Sequence, residues 1–280
     1  MSEADKQYRL SRTDPHMTDS GRTKPTPAPA AALILLRAAG RHTEVLMQVR
    51  HSDIAFAGGA LVFPGGKQEP QDSDSAPAEA IDDPDTDNTL RTAKTAAIRE
   101  TFEECGLMLA RLPGCRERVS GEWLRRLDGD RRRLNQGEQG FRELLKRESL
   151  QPALNDLVHF AHWITPDFMP RRFDTHFFLA EAPSSQKDTH DGRESVASVW
   201  VRPEDAITGS EQGRYRMLFP TRAILHRLCG PHPPAEHLRL AAETPVVTVA
   251  PRLVKRGTDT FIQIPDAIGY RFFEEKIRRD

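Results

Sequence analysis

The sequence is poor in the features that usually place a chain at once. Cysteine is scarce: Cys105, Cys115 and Cys229 are the three present, and no two form a C-x-x-C pair. A disulfide framework and a cysteine-based zinc ribbon are therefore not expected, and a reducing compartment, by default the cytoplasm, is the expected address. Net charge is equally scarce. Forty basic residues stand against forty-one acidic ones, for a net charge of −1, so no global field recruits nucleic acid or an anionic membrane. No apolar run approaches the ~20 residues of a membrane span. The N-terminus also lacks the apolar stretch of a secretory signal. Residues 1–29 carry four prolines among Ser, Thr, Lys, Arg and Asp. They have almost nothing to bury and read as a disordered tail.

What is present begins near Ala30, and residues 30–280 read as one domain. Ala31–Arg37 and Glu44–Arg50 are short apolar runs flanking Ala-Gly-Arg-His, which predicts a hairpin. Ala60–Phe63 predicts a third strand ended by Pro64-Gly65-Gly66. Residues 67–89 are rich in Asp and Pro without periodicity and read as a solvated surface loop. Leu107–Leu112, Leu157–Ile164, Arg171–Leu179 and Glu194–Val201 predict further strands. Between the first two of these, residues 115–150 have helical spacing at Trp123, Leu124 and Leu127 and again at Phe141, Leu144 and Leu145. Their Asp128-Gly-Asp-Arg-Arg-Arg133 run, with acids alongside and no interleaved aromatics, reads as a solvated helix surface. Pro203 and Phe219-Pro220 open helices, and Val246–Val254 with Thr260–Ile264 predict a strand pair around Arg256-Gly257. Strands mixed with helices, without regular alternation, predict an α+β fold.

Leu90–Leu107 carries the chemistry. At about 100° per residue, Ile98, Thr101, Phe102 and Cys105 share one side of a helix, while Glu100, Glu103 and Glu104 gather on the other. Gly106 follows, where a left-handed cap ends a helix. Anions in the last turn oppose the helix dipole at ~0.3–1 kcal/mol each, and like charges at i,i+4 add to that cost. Such a cluster is either a solvated acidic face or the ligand set of a hard cation, since oxygen-only donors select Mg²⁺ or Mn²⁺.

Arg99-Glu-Thr-Phe-Glu-Glu-Cys-Gly-Leu107 resembles the second half of the Nudix box, R-E-U-x-E-E-x-G-U, with U a bulky apolar residue. Thr101 is the weak match, at a U slot. Phe63-Pro64-Gly65-Gly66 resembles the entry to the first half, G-x5-E-x7-R, but stands 19 residues too far from Arg99. Counted back from Arg99, the first-half glutamate position holds Arg91. The interrupted box, together with W-I-T-P (163–166) and R-R-F-D-T-x-F-F (171–178), resembles the acyl-coenzyme A diphosphatases of the peroxisomal type and their bacterial relatives.

The resemblance implies a mixed sheet sandwiched between helices, with a loop insertion inside the box and a helical excursion after it. It implies Glu100, Glu103 and Glu104 as ligands to Mg²⁺ or Mn²⁺, Arg99 as their orienting ion pair, and Gly65 and Gly66 as backbone contacts. Glu103 or Glu194 is the implied general base, with a surface glutamate the alternative for Glu194. The implied reaction splits coenzyme A or an acyl ester into 3′,5′-ADP and a phosphopantetheine. Arg171 and Arg172 are either partners of the 3′-phosphate or structural ion pairs. A dinucleotide, an ADP-sugar, a capped RNA end, or a non-hydrolysing Nudix-fold sensor are the competing readings, the last motivated by Arg91 and the insertion. The expected partner is a small nucleoside diphosphate compound, with no membrane or nucleic acid and with a homodimer allowed. His159, His162 and His176 lack a cysteine or carboxylate at zinc spacing and read as ordinary strand residues.

Overall fold

The computed structural model describes residues 25–50, 59–74, 87–189, 195–265 and 270–277. The chain opens with β1 (Ala28–Ala39) and β2 (His42–Arg50), the expected hairpin, paired antiparallel from Leu36↔Val45 to Ala39↔His42. β1 starts before the expected Ala30, and residues 25–29 are tied in: Pro29 accepts from the Gln68 amide and Pro25 from Arg172. The rest of the tail lies outside the described residues.

Away from the hairpin end the two strands part. β1 exchanges its partner for β4 (Gly65–Lys67) and β2 for β3 (Leu61–Val62). The Phe63-Pro-Gly-Gly66 segment enters the sheet where they separate. Next comes α1 (Pro70–Asp74), where a solvated loop was expected; Asp72 on it is fully buried. The remainder of the insertion, up to residue 86, lies outside the described residues.

α2 (Asn88–Cys105) follows, capped at its start by the Asp87 carboxylate accepting from the Thr89 amide. Its apolar side packs on β1: Ala93, Ala96, Ala97, Ile98, Phe102 and Cys105 are buried with Ala31, Leu33 and Leu35. Thr101 is buried too, its hydroxyl donating to the Ala97 carbonyl at 2.7 Å, so the weak slot in the motif carries no unsatisfied polar atom. Gly106 ends the helix at φ 69°.

The 115–150 region is helical as expected: after β5 (Ala110–Arg111) come α3 (Gly121–Leu124), α4 (Asp128–Asn135) and α5 (Phe141–Arg147), then β6 (Gln151–Pro152). β7 (Val158–Ile164) pairs antiparallel with β8 (Phe173–Glu181), and β8 runs parallel to β1. β9 (Ser195–Val201) closes on β2. The opposite face of the sheet is covered by α6 (Pro203–Glu211), α7 (Phe219–Arg227) and α8 (Pro234–Glu243). There Ala223, Ile224 and Leu225 meet Ile34 and Leu36. β10 (Thr248–Val249) joins β7 in parallel. β11 (Arg252–Arg256), β12 (Asp259–Gln263) and β13 (Glu274–Ile277) form a small antiparallel sheet. The main sheet is thus mixed, in the order β10-β7-β8-β1-β2-β3, and sandwiched between helices. α8 and β13 were not expected: Pro233-Pro234 masks the start of the first, and Glu274–Ile277 has little apolar alternation.

Gly106 gives the first test. A Cβ there would stand 2.8 Å from Thr189 Oγ1 and 2.9 Å from Arg131 Nη1, and the left-handed backbone adds ~1–2 kcal/mol for any L side chain. Gly106→Ala is expected to lower the denaturant midpoint without changing its slope. An unchanged midpoint would show that the cap contributes nothing.

Candidate active site

The site is built around Arg99, whose side chain is 1 % exposed. Its Nε donates to Asp72 Oδ1 at 2.9 Å and Nη2 to Asp72 Oδ2 at 3.2 Å. Nη2 also donates to the Lys67 carbonyl at 2.8 Å, and Nη1 to Glu100 Oε1 at 2.9 Å and Glu103 Oε1 at 3.4 Å. One guanidinium therefore joins β4, α1 and α2. Burial alone would lower its pKa, but Glu100, Asp72 and Glu103 together more than reverse that and hold it charged.

Asp72 is the residue that sequence reasoning missed. It is 0 % exposed and also accepts from the Glu69 amide at 2.7 Å. Counting back from Arg99 put Arg91 in the first-half acidic slot. Counting forward from Gly66 reaches Asp72 after five intervening residues. The insertion therefore lies after that slot, not before it. The signal was in the sequence, read from the wrong end.

The glutamates converge beside the glycines. Glu104 is buried, and its Oε2 accepts from the Gly65 amide at 3.0 Å. A Cβ on Gly66 would stand 2.5 Å from the Glu100 carboxylate, and one on Gly65 would meet the Ala31 carbonyl at 2.4 Å. Only glycine lets β4 pass between β1 and α2 at this distance. Burial raises the pKa of Glu103 above the ordinary carboxylate value; the Arg99 charge opposes that rise and Glu69 and Asp72 reinforce it.

The triple arginine has a structural task that its composition hid. Arg131 Nε donates to the Glu103 carbonyl and Nη2 to the Glu104 carbonyl, both at 2.9 Å, and the guanidinium also holds Thr189. Asn135 adds a bond to the Glu103 carbonyl. A cation thus closes the C-terminal pole of α2, offsetting the anions crowded there.

The remaining expected site residues are not brought to this cluster. Arg172 donates to the carbonyls of Thr165 and Pro25 and braces the β7–β8 connection. Arg171 is exposed beside it. Both precede His176 on β8 by four or five residues, ~13–16 Å along the strand, and His176 itself pairs with Ala31, not with β4. Glu194 lies outside the described residues. His159, His162 and His176 meet on β7 and β8. His159 and His176 are each pushed down to about 4, by burial first and then by neighbouring imidazoles.

Residues 76–220, more than half of the chain, match the family model described as the NUDT19 Nudix domain. The chain belongs to the NUDT19 Nudix family. It is 30% identical over 159 residues to the acyl-coenzyme A diphosphatase NUDT19 of Gallus gallus, covering 49% of this chain and 40% of the relative. Against the Xenopus laevis protein of that name it is 24% identical over 226 residues, 66% of this chain and 60% of the relative. The matches thus span less than two thirds of either curated relative. The crystal structure of a Nudix hydrolase from Alicyclobacillus acidocaldarius has the same fold, with a TM-score of 0.66 and 24% identity over 80% of this chain and 99% of that one.

The Nudix family match begins after Asp72, yet the fold returns Gly65, Gly66 and Asp72 to Arg99. The residues present fit a hard divalent cation: Glu104 and Glu100 lie against a glycine backbone, Glu103 shares Arg99 Nη1 with Glu100, and Arg99 meets more carboxylates than it can neutralise. Asp72→Asn tests the frame. Removing one partner of a buried ion pair costs ~3–5 kcal/mol, so urea melts should show a loss of about that size. A loss below ~1 kcal/mol, the worth of a surface pair, would remove Asp72 from the frame.

Proposed function

We propose that this chain is a divalent-metal-dependent hydrolase of phosphoric anhydride bonds, acting on coenzyme A or an acyl ester of it and releasing 3′,5′-ADP and the corresponding phosphopantetheine. The observation that carries the reading is the placing of Glu104 and Glu100 against Gly65-Gly66, with Glu103 joined to Glu100 through Arg99 Nη1, in a Nudix fold. The names of the two curated relatives support the substrate class.

Glu100, Glu103 and Glu104 would hold Mg²⁺ or Mn²⁺. Such an ion, when bound, neutralises charge on the bridging and leaving oxygens and lowers the pKa of a bound water. The chain's own residues do the rest. The Gly65 amide fixes one oxygen of Glu104. The missing Cβ of Gly66 lets the Glu100 carboxylate lie directly against β4. Arg99 holds Glu100 and Glu103 in one orientation. Glu103, with its pKa raised by burial, has a greater appetite for a proton than an ordinary carboxylate and serves as general base. Glu194 is the second candidate for that role. Arg171, exposed at the entry to β8, and Arg172 beside it are the candidates for the 3′-phosphate. The free thiols Cys105, Cys115 and Cys229 suit a reducing compartment, and the cytoplasm is the proposed address.

The sensor reading rests on a missing first-half acid and on the insertion; Asp72 in that slot answers the first of these.

The test uses purified protein with Mg²⁺ or Mn²⁺ against coenzyme A, acyl esters, dephospho-coenzyme A, dinucleotides and ADP-sugars, with products identified by mass. Saturating Mg²⁺ should raise the melting temperature, since a ligand held ~100-fold above its Kd adds ~2.7 kcal/mol. Loss of a group behind the ligands costs 10–100-fold in metal-site function, so Glu104→Gln should lower kcat by at least ~100-fold. A fully active Gln variant would exclude this site. Mg²⁺ binding without turnover of any diphosphate would restore the sensor reading.

A further inference from the structure

The histidines on β7 and β8 form a second cluster, chemically unlike the glutamates. Strand register sets His162 opposite His176, Asp174 two residues before His176, and Thr248 beside His162. The His162, Asp174 and His176 donor atoms all lie within 4.8 Å of one another. This supplies the carboxylate that sequence spacing alone lacked. His176 also pairs with Ala31, which pairs with Gly66, so the cluster shares the sheet face of the Glu100 carboxylate. Two strand spacings, ~10 Å, separate them, and α2 packs over the intervening Ala31.

The second shell is already arranged. His176 Nδ1 meets His159 Nε2 at 3.1 Å, which leaves Nε2 as the His176 atom for an ion. His162 Nδ1 meets Thr248 Oγ1 at 2.8 Å, and its Nε2 meets Asp174 Oδ1 at 2.5 Å. Histidine ligands to metals have this pattern, the outer nitrogen engaged and the inner one aimed at the ion.

We propose that His162, Asp174 and His176 bind a divalent ion of the zinc class, in a site separate from the glutamates, with water completing the coordination. Two imidazoles and one carboxylate suit Zn²⁺ or Co²⁺, whereas the all-oxygen glutamate set suits Mg²⁺ or Mn²⁺, so donor type sorts the ions between the two sites. On binding, the ion sits between His162 Nε2 and Asp174 Oδ1. The proton displaced from Nε2 goes to water, and Nδ1 of the neutral ring takes one from water and donates it to Thr248 Oγ1, with no net change in protons. The His162 and His176 rings are stacked at 4.1 Å and 3°. A ring nitrogen's lone pair lies in the ring plane, so one ring turns to meet the ion. His162 at 17 % and Asp174 at 39 % exposure have room for that. The bound ion clamps β7 to β8.

The experiment titrates Zn²⁺ calorimetrically, and Co²⁺ by visible absorption, into the metal-stripped full chain with Mg²⁺ in excess. One equivalent is expected to bind in wild type and in Glu104→Gln, with the intense Co²⁺ bands of a tetrahedral site. Asp174→Asn, a near-isosteric change at a part-exposed position, and His162→Gln should each weaken binding at least ~10-fold. Their circular dichroism spectra should match that of wild type. If either variant misfolds, the other decides. Unchanged affinity in the folded variants, binding lost in Glu104→Gln, or no binding at micromolar free ion would each overturn the proposal.

Discussion

A buried guanidinium surrounded by more carboxylates than it can neutralise is the constraint on which the rest of the structure depends. Arg99 could not be buried without Asp72, because an uncompensated interior charge costs several kcal/mol. Asp72 could not be buried without Arg99. Their mutual requirement fixes α1 against α2, and the bond from Arg99 to the Lys67 carbonyl fixes β4 to both. Gly65 and Gly66 are thereby pressed against Glu104 and Glu100. The local negative excess that results is what a ligand set needs. The energetic burden of the arrangement and the proposed cation site have one origin.

The helical excursion answers the other half of that burden. Three glutamates toward the C-terminal end of α2 oppose its dipole; Arg99 pairs with two of their side chains, but the last turn itself carries no basic residue. The relief comes from α4, 27 and 28 residues on, where Arg131 grips the Glu104 and Glu103 carbonyls. The same guanidinium holds Thr189, so the segment after β8 is tied to the end of the ligand helix. An insertion that reads as a decorated surface is a clamp on the active helix.

The box helix, its buried side and its glycine stop were legible because period and cap are local. So was the β1–β2 hairpin, where apolar alternation survives on both faces. What stayed hidden depends on pairings distant in sequence. Asp72 looked like one acid among many in an aperiodic stretch, and nothing nearby marks it as buried. Arg131 is one of three consecutive arginines, and only the register of α4 against α2 selects it. Arg172 reaches the carbonyls of Thr165 and of the distant Pro25, and Asp174 shows its closeness to His162 only through cross-strand pairing.

The position of the insertion follows from the same energetics. Twenty-six residues separate Asp72 from Arg99, where the family spacing has seven. Each doubling of a loop costs ~0.6 kcal/mol in closure entropy, so nearly two doublings cost ~1 kcal/mol. Breaking the buried pair that closes the loop costs ~3–5 kcal/mol. Length between those two anchors is therefore cheap, provided both ends stay fixed. Asp72 fixes one end in the interior, and the Asp87 cap starts α2 at the other. An insertion one step earlier, between Gly66 and Asp72, would have had to pass through the turn that carries β4 under α2. There the backbone has no room for even one extra carbon. The interruption is tolerated where it stands because the ion pair, not the spacing, holds the two halves of the motif together.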